Sequence, residues 1–140
     1  MRAATRNRER GSTLLETALV LLTFLCLIIG TVDFAQVLYF HQALVERARA
    51  AARYASVNPT DTTGIKNVAV YNTTDGSGTA LISSFTTSMV SVANSGNNTT
   101  GAVVSVTISG LPIHFLSPYI AQSFNAQSVT VAMVAESQVP

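Results

Sequence analysis

An α+β fold is predicted, in which one long N-terminal helix, transmembrane in its first half and amphipathic in its second, packs on a small antiparallel β-sheet. Three observations predict it. Residues 14–32 form a 19-residue apolar run whose one charge is Glu16. A one-sided apolar pattern follows, with no proline before Pro59. Beyond Val57 the chain turns to Ser, Thr, Asn and Gly between short alternating apolar stretches, the texture of half-buried strands and their turns. The organisation that follows has three parts: a basic leader over 1–11, the long helix over 12–57 (transmembrane over about 14–32, amphipathic over 33–56), and a small β-rich domain over 58–140.

Composition supports a membrane protein. Of the 140 residues 48% are hydrophobic and 11% charged, against roughly 25% charged in an ordinary soluble domain. The charge is unevenly placed. Residues 1–11 hold Arg2, Arg6, Arg8 and Arg10 against Glu9, whereas the remainder is mildly acidic. Cys26 is the sole cysteine, so no intrachain disulfide can form.

The N-terminal region admits three readings. A spanning helix needs about 20 predominantly apolar residues, and arginines flanking a span are retained in the cytoplasm; Arg6, Arg8 and Arg10 therefore orient the N-terminus inwards. A secretory signal would have a shorter core followed at once by a small-residue cleavage site, but Asp33-Phe34-Ala35-Gln36 comes next. An uncleaved signal anchor fits the hydrophobicity equally well. The third reading uses Arg10-Gly11-Ser12-Thr13-Leu14-Leu15-Glu16, with a glycine before the apolar run and a carboxylate five residues on. That stretch resembles the processing site of type IV pilin-like proteins. The resemblance implies cleavage after Gly11 by a prepilin peptidase, Ser12 as the new N-terminus, and Glu16 as the acid at the fifth mature position. Thr17 departs from the aromatic usual in that family after the acid.

Glu16 also has a physical reading. A carboxylate inside a span costs a few kcal/mol and calls for a partner; the α-amino group on Ser12 of a neighbouring subunit would serve. Thr13-Leu14-Leu15-Glu16 equally matches a capping box, and the two roles are compatible.

After Val32 the positions Phe34, Val37, Leu38, His41, Leu44, Val45, Ala48, Ala51, Ala52 and Ala55 follow the i, i+3, i+4 template of an amphipathic helix. Gln42, Glu46, Arg49 and Arg53 fall opposite, and the cluster with Arg47 reads as a solvated face. His41 reads as a packing residue. Gly30 invites close helix packing, though only Cys26 lies at the matching spacing. Asn58-Pro59 ends the helix.

In the C-terminal part, 103–108 and 129–133 alternate as half-buried strands, 88–93 reads as a strand joined to the first of these by a turn-rich segment, and 66–71 reads as a weaker strand. Ser117-Pro118 has the order that opens a short helix. His41 and His114 lack metal-ligand spacing, and the serines lack a nucleophile-elbow sequence. No cofactor is expected, no enzymatic role, and no nucleic-acid partner, since the leader arginines are accounted for by topology.

The order of Val32-Asp33-Phe34-Ala35-Gln36-Val37-Leu38-Tyr39, Gln42-Ala43-Leu44 and Ala48-Arg49-Ala50-Ala51-Ala52-Arg53-Tyr54-Ala55 behind the Gly11/Glu16 site is similar to the TadE-like pseudopilins of tight-adherence (Flp) pilus systems, and the similarity is read from Gly11 to about Glu136. It implies a type IV pilin-like fold and a minor pilin of the bacterial inner membrane, its C-terminal domain periplasmic or carried into an extracellular pilus. The partners implied are a prepilin peptidase, other pilin or pseudopilin subunits, a pilus assembly platform and inner-membrane lipid. An uncleaved single-pass protein with a periplasmic binding domain is the alternative.

Overall fold

A continuous helix, α1, runs from Ala3 to Val57 in the computed structural model, which describes residues 3–95, 102–117 and 124–136, with side chains from Gly11 onward. Its 55 residues span about 82 Å at the α-helical rise. Nothing between Ala3 and Val57 breaks it: the segment has no proline, and both Gly11 and Gly30 lie in open helix.

At Val57 the chain turns sharply. Asn58 donates its N–H to Tyr54 O, and Pro59 cannot continue the ladder. Asp61 then caps a second helix, α2 (Thr62–Tyr71), by accepting from the Gly64 N–H at 2.9 Å. The same carboxylate accepts from the Tyr54 hydroxyl at 2.8 Å, so one side chain joins the end of α1 to the start of α2. Gly64 is required here, because a Cβ would collide with the Asp61 carboxylate and press on the Tyr54 ring. α2 ends at Asn72, whose left-handed backbone (φ 61°) lets its N–H reach Val68 O.

This corrects the expectation of a strand over 66–71. Val68 and Val70 alternate with Asn67 and Ala69, but Ile65, Val68 and Ala69 also sit at helical spacing, and all three are buried. The Asp61 cap and the packing of that face outweigh β-branched propensity, which is a weak term.

After a loop and a 3-10 turn (Thr87–Met89), strands β1 (Val90–Ser95), β2 (Val103–Ile108) and β5 (Val129–Val134) form an antiparallel sheet in the order β1-β2-β5. Register aligns Val90 with Ile108 and Ile108 with Val129, then Val92 with Val106 and Val106 with Val131. These residues share one face, which lies on α1 and α2. On the other face Thr107 and Thr130 meet hydroxyl to hydroxyl at 2.8 Å. A two-stranded ribbon, β3 (Pro112–Ile113) with β4 (Phe124–Asn125), projects from the sheet; Gly110, at φ 75°, makes the turn into it. The expected helix from Ser117-Pro118 falls outside the described residues.

The arrangement is therefore α+β, a long apolar N-terminal helix packed on a small antiparallel sheet. The core draws Leu44, Ala48, Ala51, Ala52 and Ala55 from α1, Ile65, Val68 and Ala69 from α2, and Val104, Val106 and Ile108 from β2. Four alanines at the contact keep the helix surface shallow, so the sheet backbone can approach it closely. The far end is tied by the Glu136 N–H to Ser56 O, at 2.8 Å.

Candidate functional site

The half of α1 that precedes the core is bare. Every residue from Gly11 to Ile28 is exposed, and shielding begins at Ile29. Leu14, Leu15, Leu19 and Leu27 are between 63% and 72% exposed. Eleven large apolar side chains between Leu14 and Val32 are between 40% and 72% exposed, and covering them is worth on the order of 20 kcal/mol. A carboxylate at the centre of a span opposes that by only about 3 kcal/mol on insertion scales, so Glu16 does not cancel the drive to leave water. The helix is long and apolar enough to cross a membrane.

Its polar groups suit that environment. Thr17, Thr23 and Thr31 each turn their hydroxyl back to the carbonyl four residues earlier (Thr13, Leu19 and Leu27) at 2.8–3.0 Å. Each donor is thereby satisfied within the helix, as a lipid-facing segment requires. Glu16 is exposed and forms no ion pair among the described residues. Because α1 runs from Ala3 in the uncleaved chain, Glu16 there lies inside the helix and not in its first turn. Gly11 and Ser12 are exposed, with open space where a Gly11 Cβ would project. Arg6, Arg8 and Arg10 lie on the first turns of α1, with their side chains outside the described part. Gly30 also faces open space, so it makes no close contact within the chain. The structure thus strings Arg6 to Glu16 along one helix, and from Gly11 to Glu16 every residue is exposed.

The residue that does join the two halves is Asp33. It is 3% exposed, the one charged residue that is buried among the described residues. Its carboxylate accepts the backbone N–H of Leu116 at 2.7 Å and of Ser117 at 3.2 Å. These bonds clamp the loop after β3 to the helix just beyond the apolar run. Sequence reasoning passed over Asp33, although a lone acid at the end of a span was the available signal.

The clamp also sets which side of α1 faces the domain. Asp33, Gln36, Val37, Phe40 and Leu44 are turned inwards, whereas Phe34, Leu38 and His41 are exposed. His41 is therefore not the packing residue expected; with Val37 and Leu38 it borders a cleft of about 250 Å³ closed by Ile113 and Phe124. A second cleft of about 340 Å³ lies on the other side of Ile113, beside Gln36, Phe40 and His114. From Leu44 onward the expected stripe and the buried face coincide. In the charged cluster, Arg49 pairs with Glu46 at 3.1 Å and both are more than half exposed, a solvated pair of small energetic weight.

Compared with known proteins, residues 11–53 match the family described as TadE-like protein. The match covers α1 from Gly11 and stops at Arg53, so it does not reach the sheet to which the resemblance was read. No curated protein matches the chain, nor does any solved structure.

Proposed function

With the chain TadE-like over residues 11–53, we propose that it is a minor pilin, or pseudopilin, taking part in assembly of a Tad/Flp-type pilus, and through it in surface attachment or secretion. The observation that carries this reading is the bare apolar half of α1. A helix with its own domain on one half and with residues 11–28 of the other all exposed is suited to exchange lipid for the helices of other subunits. In this reading the leader is removed after Gly11 by a prepilin peptidase, and Ser12 becomes the N-terminus. Arg6, Arg8 and Arg10 hold the leader in the cytoplasm until then. The domain beyond Val57 lies in the periplasm and enters the pilus with the helix. Glu16 pairs with the Ser12 amino group of a neighbouring subunit, which offsets the desolvation of both charges and fixes the axial stagger between helices. The role is structural and mechanical, with no substrate turned over.

The test is the intact mass and N-terminal sequence of the protein from its own host, with and without the prepilin peptidase. A chain beginning at Ser12 only when the peptidase is present is the expected result. A chain beginning at Met1 in both strains would replace this reading with an uncleaved membrane anchor carrying a periplasmic binding domain.

A further inference from the structure

The lower end of the C-terminal domain is apolar and exposed. Leu116 is 63% exposed and Phe124 48%; Phe115 stands beside Phe124 with ring centroids 6.2 Å apart. Phe34, at 65%, and Leu38, at 51%, extend this surface onto α1. Residues 109–117 and 124–135 contain no Asp, Glu, Lys or Arg. A patch of this kind, rimmed by the rest of a polar domain, marks an interaction surface.

Its height on the helix identifies the occupant. The Leu116 N–H is bonded to Asp33, which is one residue, about 1.5 Å, beyond the last residue of the apolar run. The run of 19 residues, 14–32, is about 28 Å long and fills a hydrocarbon core of about 30 Å. The loop is thus held where α1 leaves the acyl region. Shielding of α1 starts at Ile29, so the domain overlaps the last turn of the run instead of standing clear of it. Asp33 at this depth would be poorly tolerated with its carboxylate bare; the two loop N–H groups satisfy it.

We propose that the loop over 115–117, with Phe124 of β4, is a membrane-docking surface that seats the domain in the boundary between headgroups and acyl chains. The inference rests on the reading that α1 spans a bilayer. Leu116 enters the outer acyl boundary beside Phe34, and Asp33 is the positioning residue that holds the loop at this depth. The tilt and height of the domain above the membrane are then fixed by the protein itself, before any other subunit binds.

The test uses the full chain in lipid nanodiscs, with Cys26→Ser as background and a nitroxide on one cysteine at a time, at Leu22, Leu116, Phe124 or Ala132. Collisions with dissolved oxygen report acyl chains, and collisions with an aqueous nickel chelate report water. The labels at 116 and 124 are expected to meet the nickel chelate at least threefold less often than the label at 132, with oxygen access approaching that at 22. Adding Asp33→Ala should raise nickel access at 116 without changing the label at 22. The proposal is overturned if 116 and 124 behave like 132 while 22 stays lipid-like, since the helix then spans and the domain stands off. It is overturned also if both are shielded from either probe and show dipolar broadening that grows with the number of chains per disc, which would make the occupant a second copy. A label at 22 that is water-accessible would instead remove the spanning reading, and the docking surface with it.

Discussion

Asp33 concentrates several demands in one carboxylate. It is buried, it sits where the apolar run ends, and it accepts two bonds, at 2.7 and 3.2 Å, from backbone N–H groups of the loop after β3. Hydrogen bonds to a charged acceptor contribute about 1.5–3 kcal/mol. Asp33→Ala is therefore expected to weaken the attachment of the loop by about 2 kcal/mol, read as faster amide exchange at Leu116 and Ser117, with Asp33→Asn intermediate because one acceptor oxygen survives. Unchanged exchange in the alanine variant would show that the loop is held by Ile113 and its neighbours alone. The elbow between α1 and α2 makes a second residue-scale case. The Asp61 carboxyl lies below its ordinary range, first through the Gly64 N–H and next through the Tyr54 hydroxyl. The Tyr54 hydroxyl is pushed above its ordinary value by that same bond to Asp61, with desolvation second. For a lowered acid, the stabilisation is complete above the unfolded value of about 3.9 and fades as pH falls through the folded one. For the raised tyrosine, it is complete below about 10 and fades as pH rises through the folded value. Stability should be flat between these limits as far as the elbow is concerned. In thermal melts across pH, Tyr54→Phe should abolish the alkaline loss due to this bond and lessen the acid one, whereas Asp61→Asn should remove both.

At the scale of elements, the sheet was legible because burial on one side enforces a period of two: Val104, Val106 and Ile108 are buried and alternate with the part-exposed Ser105 and Thr107. That pattern survives any detail of the turns. The lower part of the helix was less legible. Phe34, Leu38 and His41 made a consistent stripe, but near the membrane an apolar residue can face lipid, so hydrophobicity no longer says which side meets the domain. The inward side there is marked by Asp33 and Gln36, polar residues that a search for apolar spacing discards. In 66–71 the error was different: a short stretch of valines supports either period, and the deciding groups were Asp61 and Gly64, outside the stretch itself. The packed region yields a graded prediction. Ile108→Ala empties a fully buried site and should cost about 3 kcal/mol. Ala51→Leu, on the fully buried helix face, should cost about 1–3 kcal/mol through overpacking. Thr107→Ala, on the outer face of the sheet, should cost about 1 kcal/mol or less through its one hydroxyl contact. Denaturant midpoints in detergent solution would rank the three, and a helix–sheet contact that tolerates leucine at Ala51 would contradict the close approach described.

For the molecule as a whole, the division of α1 into a bare half and a covered half separates two kinds of variant. Substitutions in the covered half and the sheet act on folding of one chain. Residues from Gly11 to Ile28 are all exposed, so on the function proposed here the effects of substituting them are expected in cleavage, in the bilayer or between subunits. Glu16 stands out in the sequence because a carboxylate within an apolar run is conspicuous whatever the fold; the partner expected for it, the Ser12 amino group of a neighbouring subunit, belongs to another molecule, so the fold of one chain does not test the pairing. Glu16 is the decisive position. Glu16→Ala is expected to leave cleavage after Gly11 largely intact, since the carboxylate lies beyond the bond to be cut, and to lower the number of pili at least tenfold. Glu16→Gln keeps the shape and hydrogen-bonding capacity but not the charge. If the charge on Glu16 offsets that on the Ser12 amino group of the next subunit, the glutamine variant should assemble as poorly as the alanine one, because either leaves a cation unpaired in an apolar bundle. Pilus counts by electron microscopy, with N-terminal sequencing of the same cells, separate the steps. Processed subunits and normal pilus number in Glu16→Gln would leave Glu16 a hydrogen-bonding role and remove the ion pair. Loss of processing in both variants would move Glu16 from assembly to recognition by the peptidase.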